Sequence, residues 1–171
     1  MPVNVEIKAR VADADAMRRR IETLCGTPPQ QLIQEDLFFA APRGRLKLRL
    51  LEDGGGELIH YHRDDAPAAR PSHYLVFRTD APALLRAALE GALGVTGRVR
   101  KQRLLFRHEN TRIHLDQVEG LGAFLELEVM LGPAETPSDG QRVAAELMQR
   151  LGVERSDLVG EAYVDLLQRG G

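Results

Sequence analysis

The chain has 171 residues, of which 43% are hydrophobic and 28% are charged, and these proportions are typical of a soluble globular protein. The length predicts one domain over residues 1–171 that can bury a sizeable core. The formal net charge of −2 argues against a uniformly basic surface that binds nucleic acid, although 23 lysine and arginine residues leave room for a local basic site.

The expected cellular setting follows from features that the sequence lacks. A single cysteine, Cys25, excludes an intramolecular disulfide and a zinc cluster built on cysteines. The chain opens directly into a strand without a recognisable signal peptide, and no apolar run approaches the roughly 20 residues of a membrane span. We therefore expect a cytoplasmic protein with no membrane partner.

The first predicted element is a β-strand over residues 3–11, in which apolar and polar side chains alternate without a break. A period of two places Val5 and Ile7 on one face and Glu6 and Lys8 on the other. In most strands of this kind the charged face lies in water. The pattern therefore predicts which side chains share a face, but not what that face meets.

Seven more strands and three or four helices are predicted along the rest of the chain. The strands are expected at residues 31–41, Arg45–Leu51, 57–64, 73–79, 97–109, Thr111–Val118 and 123–131. The helices are expected after a cap at Asp13 or Asp15, over residues 80–93, after a cap at Ser138, and over residues 159–168. The segment 65–72 is predicted to be a mobile loop.

The helix at residues 80–93 carries apolar side chains at helical spacing, which predicts a buried stripe. Its members are Leu84, Leu85, Ala88, Leu89 and Ala92.

Ionic side chains are sorted among the predicted strands. The anionic candidates, which lie on the first and the last two strands, are Glu6, Asp116, Glu126 and Glu128. The cationic candidates, which lie mostly on the other strands, are Lys8, Lys47, Arg49, Arg63, Arg78, Lys101, Arg103 and Arg112.

Two arrangements fit this pattern. In an open sheet, the ions would form exposed cross-strand pairs, each worth under about 1 kcal/mol. In a closed eight-stranded antiparallel β-barrel, the ions would point into a lumen that holds one ligand, and the helices would cover the apolar outside. The sorting of charge favours this second, α+β architecture, although the alternation of single strands is compatible with both.

A triphosphate with a divalent metal ion would suit a closed space of this kind. Arginine and lysine bind phosphate oxygens through charge-assisted hydrogen bonds, and cations gathered in one place repel each other without such a ligand. Glu126 and Glu128 are two residues apart on one strand, so their side chains share a face about 6–7 Å apart. Carboxylate oxygens on neighbouring strands are the ligands that Mg²⁺ or Mn²⁺ prefers.

The sequence also resembles the CYTH superfamily, the triphosphate tunnel metalloenzymes that include class IV adenylate cyclases and thiamine triphosphatases. The opening Asn-Val-Glu-Ile-Lys is similar to the family's Glu-x-Glu-x-Lys signature. Further similar motifs, in chain order, are Gln34-Glu-Asp36, Gly44-Arg-Leu-Lys47-Leu-Arg49, Tyr61-His-Arg63, Lys101-Gln-Arg103, Arg112-Ile-His-Leu-Asp116, Glu119-Gly-Leu-Gly122, Phe124-Leu-Glu126-Leu-Glu128 and Ala162-Tyr163-Val-Asp-Leu-Leu167.

The resemblance implies an eight-stranded tunnel, a divalent metal and basic side chains that hold a triphosphate. On this resemblance the metal would be bound by Glu6, Glu126 and Glu128, with Asp116 as a further ligand. The phosphates would be bound by Lys8, Lys47, Arg49, Arg63, Lys101, Arg103 and Arg112, with Arg78, whose local motif is thin, as an additional candidate.

Two residues depart from the family pattern. Asn4 stands where the first Glu of the signature often sits, so one anionic metal ligand is lost and a second metal is put in doubt. Phe38 stands where a Tyr is common, which removes a hydroxyl group.

Three functions remain open from the sequence. The first, favoured by resemblance, is a class IV adenylate cyclase-like conversion of ATP to cyclic AMP and pyrophosphate, with Glu6, Lys8, Glu126 and Glu128 as catalytic candidates. The second is hydrolysis of thiamine triphosphate, tripolyphosphate or a nucleoside triphosphate, and the third is binding without turnover.

His114 could be a metal ligand or a proton carrier, although such a histidine is more often a wall residue. No nucleic-acid partner is expected, and a homodimer is the assembly that we consider.

Overall fold

The strands of this computed structural model, which describes residues 2–170, close into an antiparallel barrel. Around the barrel the strand order within these residues is β1-β5-β4-β3-β2-β6-β7-β8. The strands are β1 (Val3–Arg10), β2 (Gln30–Phe39), β3 (Arg45–Leu51), β4 (Gly56–His62), β5 (Arg70–Thr79), β6 (Val95–His108), β7 (Thr111–Val118) and β8 (Gly122–Met130). The predicted α+β barrel is thus confirmed.

The first strand closes the barrel by pairing with both of its neighbours. It pairs with β8 through a register that sets Glu6 opposite Glu128 and Lys8 opposite Glu126. It pairs with β5 over a shorter stretch, from Val3 opposite His73 to Glu6 opposite Arg70. One side of the closure therefore has a longer hydrogen-bonded ladder than the other.

The main apolar core lies outside the barrel, between its wall and two helices, α1 (Ala14–Cys25) and α3 (Pro137–Leu151). Val5 and Ile7 are buried in this core, whereas Glu6 and Lys8 line the inside of the barrel. The alternation in the first strand thus separates an apolar outer face from an ionic inner face.

A short C-terminal helix, α4 (Tyr163–Arg169), packs against the barrel beside β6. At Gly97 a β-carbon would lie 2.3 Å from Val164 Cγ2, so the close approach of this helix requires glycine there. Tyr163 joins Phe38, Val99 and Phe124 in a second buried cluster. A 3₁₀ turn (Arg155–Asp157) precedes α4 along the chain.

The structure corrects the predicted packing of helix α2 (Pro82–Leu93). Leu85 and Leu89 pack on the cluster that includes Leu48, but Leu84 is 74% exposed. Ala88 and Ala92 are also exposed. The helix lies on the outside of β2 and β3 along a narrow face, so three of the five residues of the expected stripe are exposed.

Two further predicted boundaries were wrong. Strand β5 begins at Arg70 rather than at residue 73, because residues 70–73 pair with β1. Helix α3 is capped by Thr136 rather than Ser138, because Thr136 and Asp139 form a reciprocal capping box and Pro137 occupies the first turn. Among residues 2–170, no helix has both the length and the apolar character that crossing a membrane would require.

Candidate active site

The inside of the barrel forms a cavity of about 960 Å³, a size within the usual range for ligand sites. Its wall runs from Glu52 and Asp53 in the β3–β4 turn to Ala162 and Tyr163 at the start of α4. Two groups of its charged and polar side chains lie close together, and we call them the Asp36 cluster and the His114 cluster.

The Asp36 cluster joins three cations to one buried carboxylate. Lys47 Nζ donates to Asp36 Oδ2 at 2.9 Å, and Lys101 Nζ donates to the same oxygen at 3.0 Å. Arg49 donates to both carboxylate oxygens, at 2.8 and 2.9 Å. The geometry arises because β2, which carries Asp36, lies between β3 and β6, which carry the cations.

This cluster has more positive than negative charge. Burial alone raises the pKa of Asp36, but Arg49, Lys101 and Lys47 outweigh burial and hold that pKa well below its usual value. For Lys101, burial together with the nearby Arg49, Arg103 and Lys47 lowers the pKa to about 7, although Asp36 opposes the shift. The pKa of Lys47 is also lowered, by burial and then by neighbouring arginines, against the opposing effect of Asp36. An added anion would therefore be stabilised here.

The His114 cluster gathers His114 on β7 with Glu126 and Glu128 on the adjacent strand β8. His114 Nδ1 lies 3.6 Å from Glu126 Oε2 and 4.0 Å from Glu128 Oε1. One ligand atom from each of the three residues lies within 4.8 Å of the others, which is close enough for a shared metal ion.

The carboxylates of this cluster interact strongly with their surroundings. Burial raises the pKa of Glu126, but His114, Lys8 and Arg103 reverse this effect and place the pKa well below its usual value. The pKa of Glu6, which lies opposite Glu128 across the β1–β8 ladder, is raised by burial and then by repulsion from Glu128. This side of the cavity thus holds three carboxylates close enough to influence one another.

Lys8 lies beside the His114 cluster. Its Nζ lies 3.6 Å from Glu126 Oε1, donates to the backbone oxygen of Glu161 at 2.9 Å, and sits 4.0 Å from the centre of the Tyr163 ring. Burial lowers the pKa of Lys8 to about 8, despite the opposing effect of Glu126. Lys8 can therefore exchange a proton near neutral pH.

Arg103 binds Asp116 and reaches Glu126 of the His114 cluster. It donates to both oxygens of Asp116, at 2.7 and 2.6 Å, and its Nη2 also donates to Glu126 Oε2 at 3.1 Å. The Tyr163 hydroxyl donates to Asp116 Oδ2 at 2.9 Å. Asp116 lies behind Arg103 rather than in the cavity wall, so in this structure it orients an arginine.

Three other predicted site residues lie in the wall. Arg63, just beyond the end of β4, approaches Glu6 at 3.3 Å, and Arg112 approaches Glu128 at 2.8 Å. Arg78 lies near the β3–β4 turn with its side chain 85% exposed. The structure therefore places all the predicted cations in the cavity wall, with Arg78 at its exposed edge.

Sequence reasoning missed Asp36 and Tyr163 as site residues. Asp36 lay within a recognised motif, but the adjacent Glu35 left it unclear which acid points inward. Tyr163 also lay within a recognised motif, but it lies on a helix and enters the site through the fold, so the alternation of the strands does not place it in the cavity.

Comparisons with known proteins agree with this architecture. Residues 3–163 match the CYTH domain. A protein of Methanocaldococcus jannaschii, provisionally named an adenylate cyclase, is 21% identical over 96% of this chain and 98% of its own length.

Two solved structures are similar to this chain. The PH1012 protein of Pyrococcus horikoshii superposes with a TM-score of 0.85 at 26% identity, over 96% of this chain and 99% of that one. A Hippeastrum protein, provisionally an adenylyl cyclase and described as having a dominant triphosphatase activity, superposes with a TM-score of 0.70 at 14% identity. That superposition covers 99% of this chain and 96% of that one. On the extent of the domain match, the chain belongs to the CYTH domain family.

Proposed function

We propose that the protein is a metal-dependent enzyme that binds a triphosphate inside the barrel and converts ATP to cyclic AMP and pyrophosphate. The observation that carries the proposal is that one cavity holds a cluster rich in cations and, apart from it, a group of three carboxylates. Three cations share Asp36 on one side, and Glu6, Glu126 and Glu128 lie together on the other. A triphosphate bound to a divalent ion has a matching distribution of charge.

The cations would bind and orient the phosphates. Lys47, Arg49 and Lys101 already form a preorganised set around Asp36, so little rearrangement is needed when phosphate oxygens enter. Arg112 and Arg63 each have a buried Nε without a hydrogen-bond partner among residues 2–170, which leaves donors for an anion. Preorganised donors of this kind stabilise charge that develops on a leaving group.

The carboxylates suit a divalent cation. Glu126 and Glu128 supply the hard oxygen atoms that Mg²⁺ or Mn²⁺ takes, and Glu6 lies opposite Glu128. Asp116, whose two oxygens accept hydrogen bonds from Arg103, would contribute by orienting that arginine. When bound, the ion would act as a Lewis acid toward phosphate oxygen.

The proposed chemical step is attack of the ribose 3′-hydroxyl on the α-phosphorus. The new bond joins the 3′-oxygen to that phosphorus, and the bond to the bridging oxygen breaks, so that pyrophosphate leaves. Lys8, with a pKa of about 8 and beside Glu126, is the proposed acceptor of the hydroxyl proton.

Hydrolysis is the second candidate. It would use water instead of the ribose hydroxyl and the same cationic groups. The Hippeastrum protein, described as having a dominant triphosphatase activity, motivates this alternative.

The test is to incubate the protein separately with ATP, thiamine triphosphate and tripolyphosphate, each with Mg²⁺ or Mn²⁺, and to follow products by ³¹P NMR and chromatography. Cyclic AMP with an equal amount of pyrophosphate from ATP is the expected result. Release of inorganic phosphate instead would support hydrolysis. Binding without any product would refute the enzymatic proposal and leave a triphosphate-binding protein.

A further inference from the structure

We propose that His114 is a ligand of the metal ion and that its ring nitrogen makes the site prefer a first-row transition ion such as Mn²⁺ over Mg²⁺. The proposal rests on the proposed function, because it concerns the ion that this function requires. It goes further by assigning a ligand outside the carboxylate set and by choosing between the two candidate ions.

The position of His114 Nδ1 fits a shared ion. Two ligand atoms about 2.1 Å from one ion stand about 3 Å apart at a right angle and about 4.2 Å apart when opposite. The separations from Nδ1 to Glu126 Oε2 and Glu128 Oε1, 3.6 and 4.0 Å, fall between these limits. The two separations from His114 are thus compatible with one shared ion, and the ligand atoms of Glu126 and Glu128 lie within 4.8 Å of each other.

The hydrogen bonds around His114 also single out its Nδ1 atom. His114 is 5% exposed, and its buried Nδ1 has no hydrogen-bond partner within 3.5 Å among residues 2–170, since the Oε2 atom of Glu126 lies 3.6 Å away. Leaving a buried polar atom unpaired costs about 1–3 kcal/mol, so such an atom in a native protein usually has a partner that is not part of the chain.

A direct ion pair explains the geometry less well. A protonated ring nitrogen beside a carboxylate forms a hydrogen bond of about 2.7–2.9 Å. Both carboxylate oxygens near His114 Nδ1 lie well beyond that distance. An ion placed between the three groups accounts for their convergence and for their separation.

Glu126 retains capacity for an ion despite its other contacts. Lys8 and Arg103 approach its two oxygens at 3.6 and 3.1 Å. A carboxylate has about four lone-pair sites, so these contacts leave others free. The two cations then fix the carboxylate's orientation rather than block it.

The mixed nitrogen and oxygen ligands determine which ion is preferred. Mg²⁺ favours oxygen atoms in near-ideal octahedral geometry. An imidazole nitrogen suits first-row transition ions better than Mg²⁺, and Mn²⁺, the weakest binder of that series, also accepts the carboxylate oxygens of this site. Of the five histidines, His114 is the one found in the cavity wall among the described residues. It is therefore the residue expected to shift the site away from Mg²⁺.

The experiment measures binding of Mn²⁺ by electron paramagnetic resonance, with Mg²⁺ as competitor, in the wild-type protein and in His114→Asp. His73→Asp, at an exposed position on β5, is the matched control. Pulsed measurements on bound Mn²⁺ should detect nitrogen coupling in the wild type and in His73→Asp, but not in His114→Asp. The preference for Mn²⁺ over Mg²⁺ should fall about tenfold in His114→Asp, which offers an oxygen ligand instead.

Labelling the wild-type protein with ¹⁵N-histidine gives a readout that does not depend on whether the variant folds. The nitrogen coupling should change to that of ¹⁵N. Bound Mn²⁺ without histidine nitrogen coupling, or an unchanged ion preference in a folded His114→Asp, would overturn the proposal. Histidine-coupled Mn²⁺ in a protein that converts no triphosphate would uphold this proposal and refute only the enzymatic function.

Discussion

The two sides of the barrel cavity differ in how their charges are paired. In the Asp36 cluster three cations share one carboxylate. Across the cavity, Glu126 and Glu128 converge with His114, and Glu6 is close enough to Glu128 for repulsion to raise its pKa. The Asp36 cluster has an excess of positive charge that burial makes costly. The carboxylates across the cavity converge, but each also has a cation nearby: Lys8 and Arg103 at Glu126, Arg112 at Glu128 and Arg63 at Glu6. The two sides therefore differ in the roles that we propose for them, phosphate binding at the Asp36 cluster and metal binding at the converging carboxylates.

The largest expected effect comes from removing the charge of Asp36. In Asp36→Asn, Lys47, Arg49 and Lys101 would lose their shared counterion, and we expect the free energy of unfolding to fall by about 3–5 kcal/mol. Denaturant unfolding measures this change. Added tripolyphosphate should restore much of the loss by supplying the missing negative charge, whereas Asp64→Asn, an exposed control, should unfold like the wild type. An Asp36→Asn protein of normal stability would contradict the charge imbalance.

The next largest effect is expected from changes to the carboxylates on the other side of the cavity. Glu126→Gln and Glu128→Gln should each lower metal-dependent turnover at least about 100-fold, because each removes a charged oxygen ligand but keeps the side-chain shape. Steady-state rates with Mn²⁺ and circular dichroism measure activity and folding. Glu119→Gln, at an exposed turn, is the control. Wild-type rates in both site variants would refute the metal assignment.

A third substitution tests the proposed phosphate-binding role of the Asp36 cluster without removing Asp36 itself. Arg49→Ala should raise the dissociation constant for a triphosphate about 10- to 100-fold, since a hydrogen bond to a charged group contributes about 1.5–3 kcal/mol. Calorimetry at several salt concentrations should also show a weaker salt dependence. Arg98→Ala, on the outer face of β6, should leave both quantities unchanged. Equal binding by the two variants would count against the phosphate role.

The pH dependence of triphosphate binding tests the Asp36 cluster further, through the protonation of Lys101. Lys101 has a pKa of about 7 in the free protein, and a bound anion would raise it. At pH 8 the free side chain is therefore mostly neutral and must take up a proton on binding. Triphosphate affinity should fall as pH rises above 7, by up to about tenfold per pH unit.

Calorimetry in buffers of different ionisation enthalpy measures this proton uptake. Lys101→Arg is the control, because arginine stays charged while the ligand's own titration is unchanged. Proton release in the wild type, or the same uptake in both proteins, would contradict the prediction.

The smallest expected effect concerns Tyr163, which supports Arg103 through Asp116. Tyr163→Phe removes the hydrogen bond to Asp116 and should lower stability by about 1 kcal/mol. Turnover should fall several-fold with a small change in substrate affinity, because Arg103 loses part of its support. Unfolding and steady-state kinetics would measure both. An unchanged turnover number would mean that Asp116 holds Arg103 unaided.

The sequence predicted the carboxylate side of the cavity better than the Asp36 cluster. Glu6, Glu126 and Glu128 lie on strands that alternate cleanly, so their shared face could be assigned from period alone. Asp36 lies on β2, where neighbouring Glu35 and Asp36 point to opposite faces and the pattern does not identify the inner one. Its role depends on which strands flank β2, and that pairing is a property of the whole fold.

The closure of the barrel and the packing of its helices also could not be predicted from the pattern of single strands and helices. An alternating strand looks the same in an open sheet and in a barrel, so closure was favoured only by the sorting of charge and by the resemblance to the CYTH superfamily. The apolar spacing in α2 predicted a helix correctly but overestimated its burial, because Leu84 has the same spacing as its buried neighbours yet faces away from the barrel. Periodicity specifies which face of a helix is apolar. The width of the part that becomes buried depends on the surface against which the helix packs.

The unequal closure of the first strand has a consequence for the motions of the barrel. The β1–β5 ladder is shorter than the β1–β8 ladder and adjoins the connection over residues 63–69. Local opening generally starts where few backbone hydrogen bonds must break together. The barrel should therefore open between β1 and β5 first, and native-state hydrogen exchange should show amide protons in that ladder exchanging before those shared with β8.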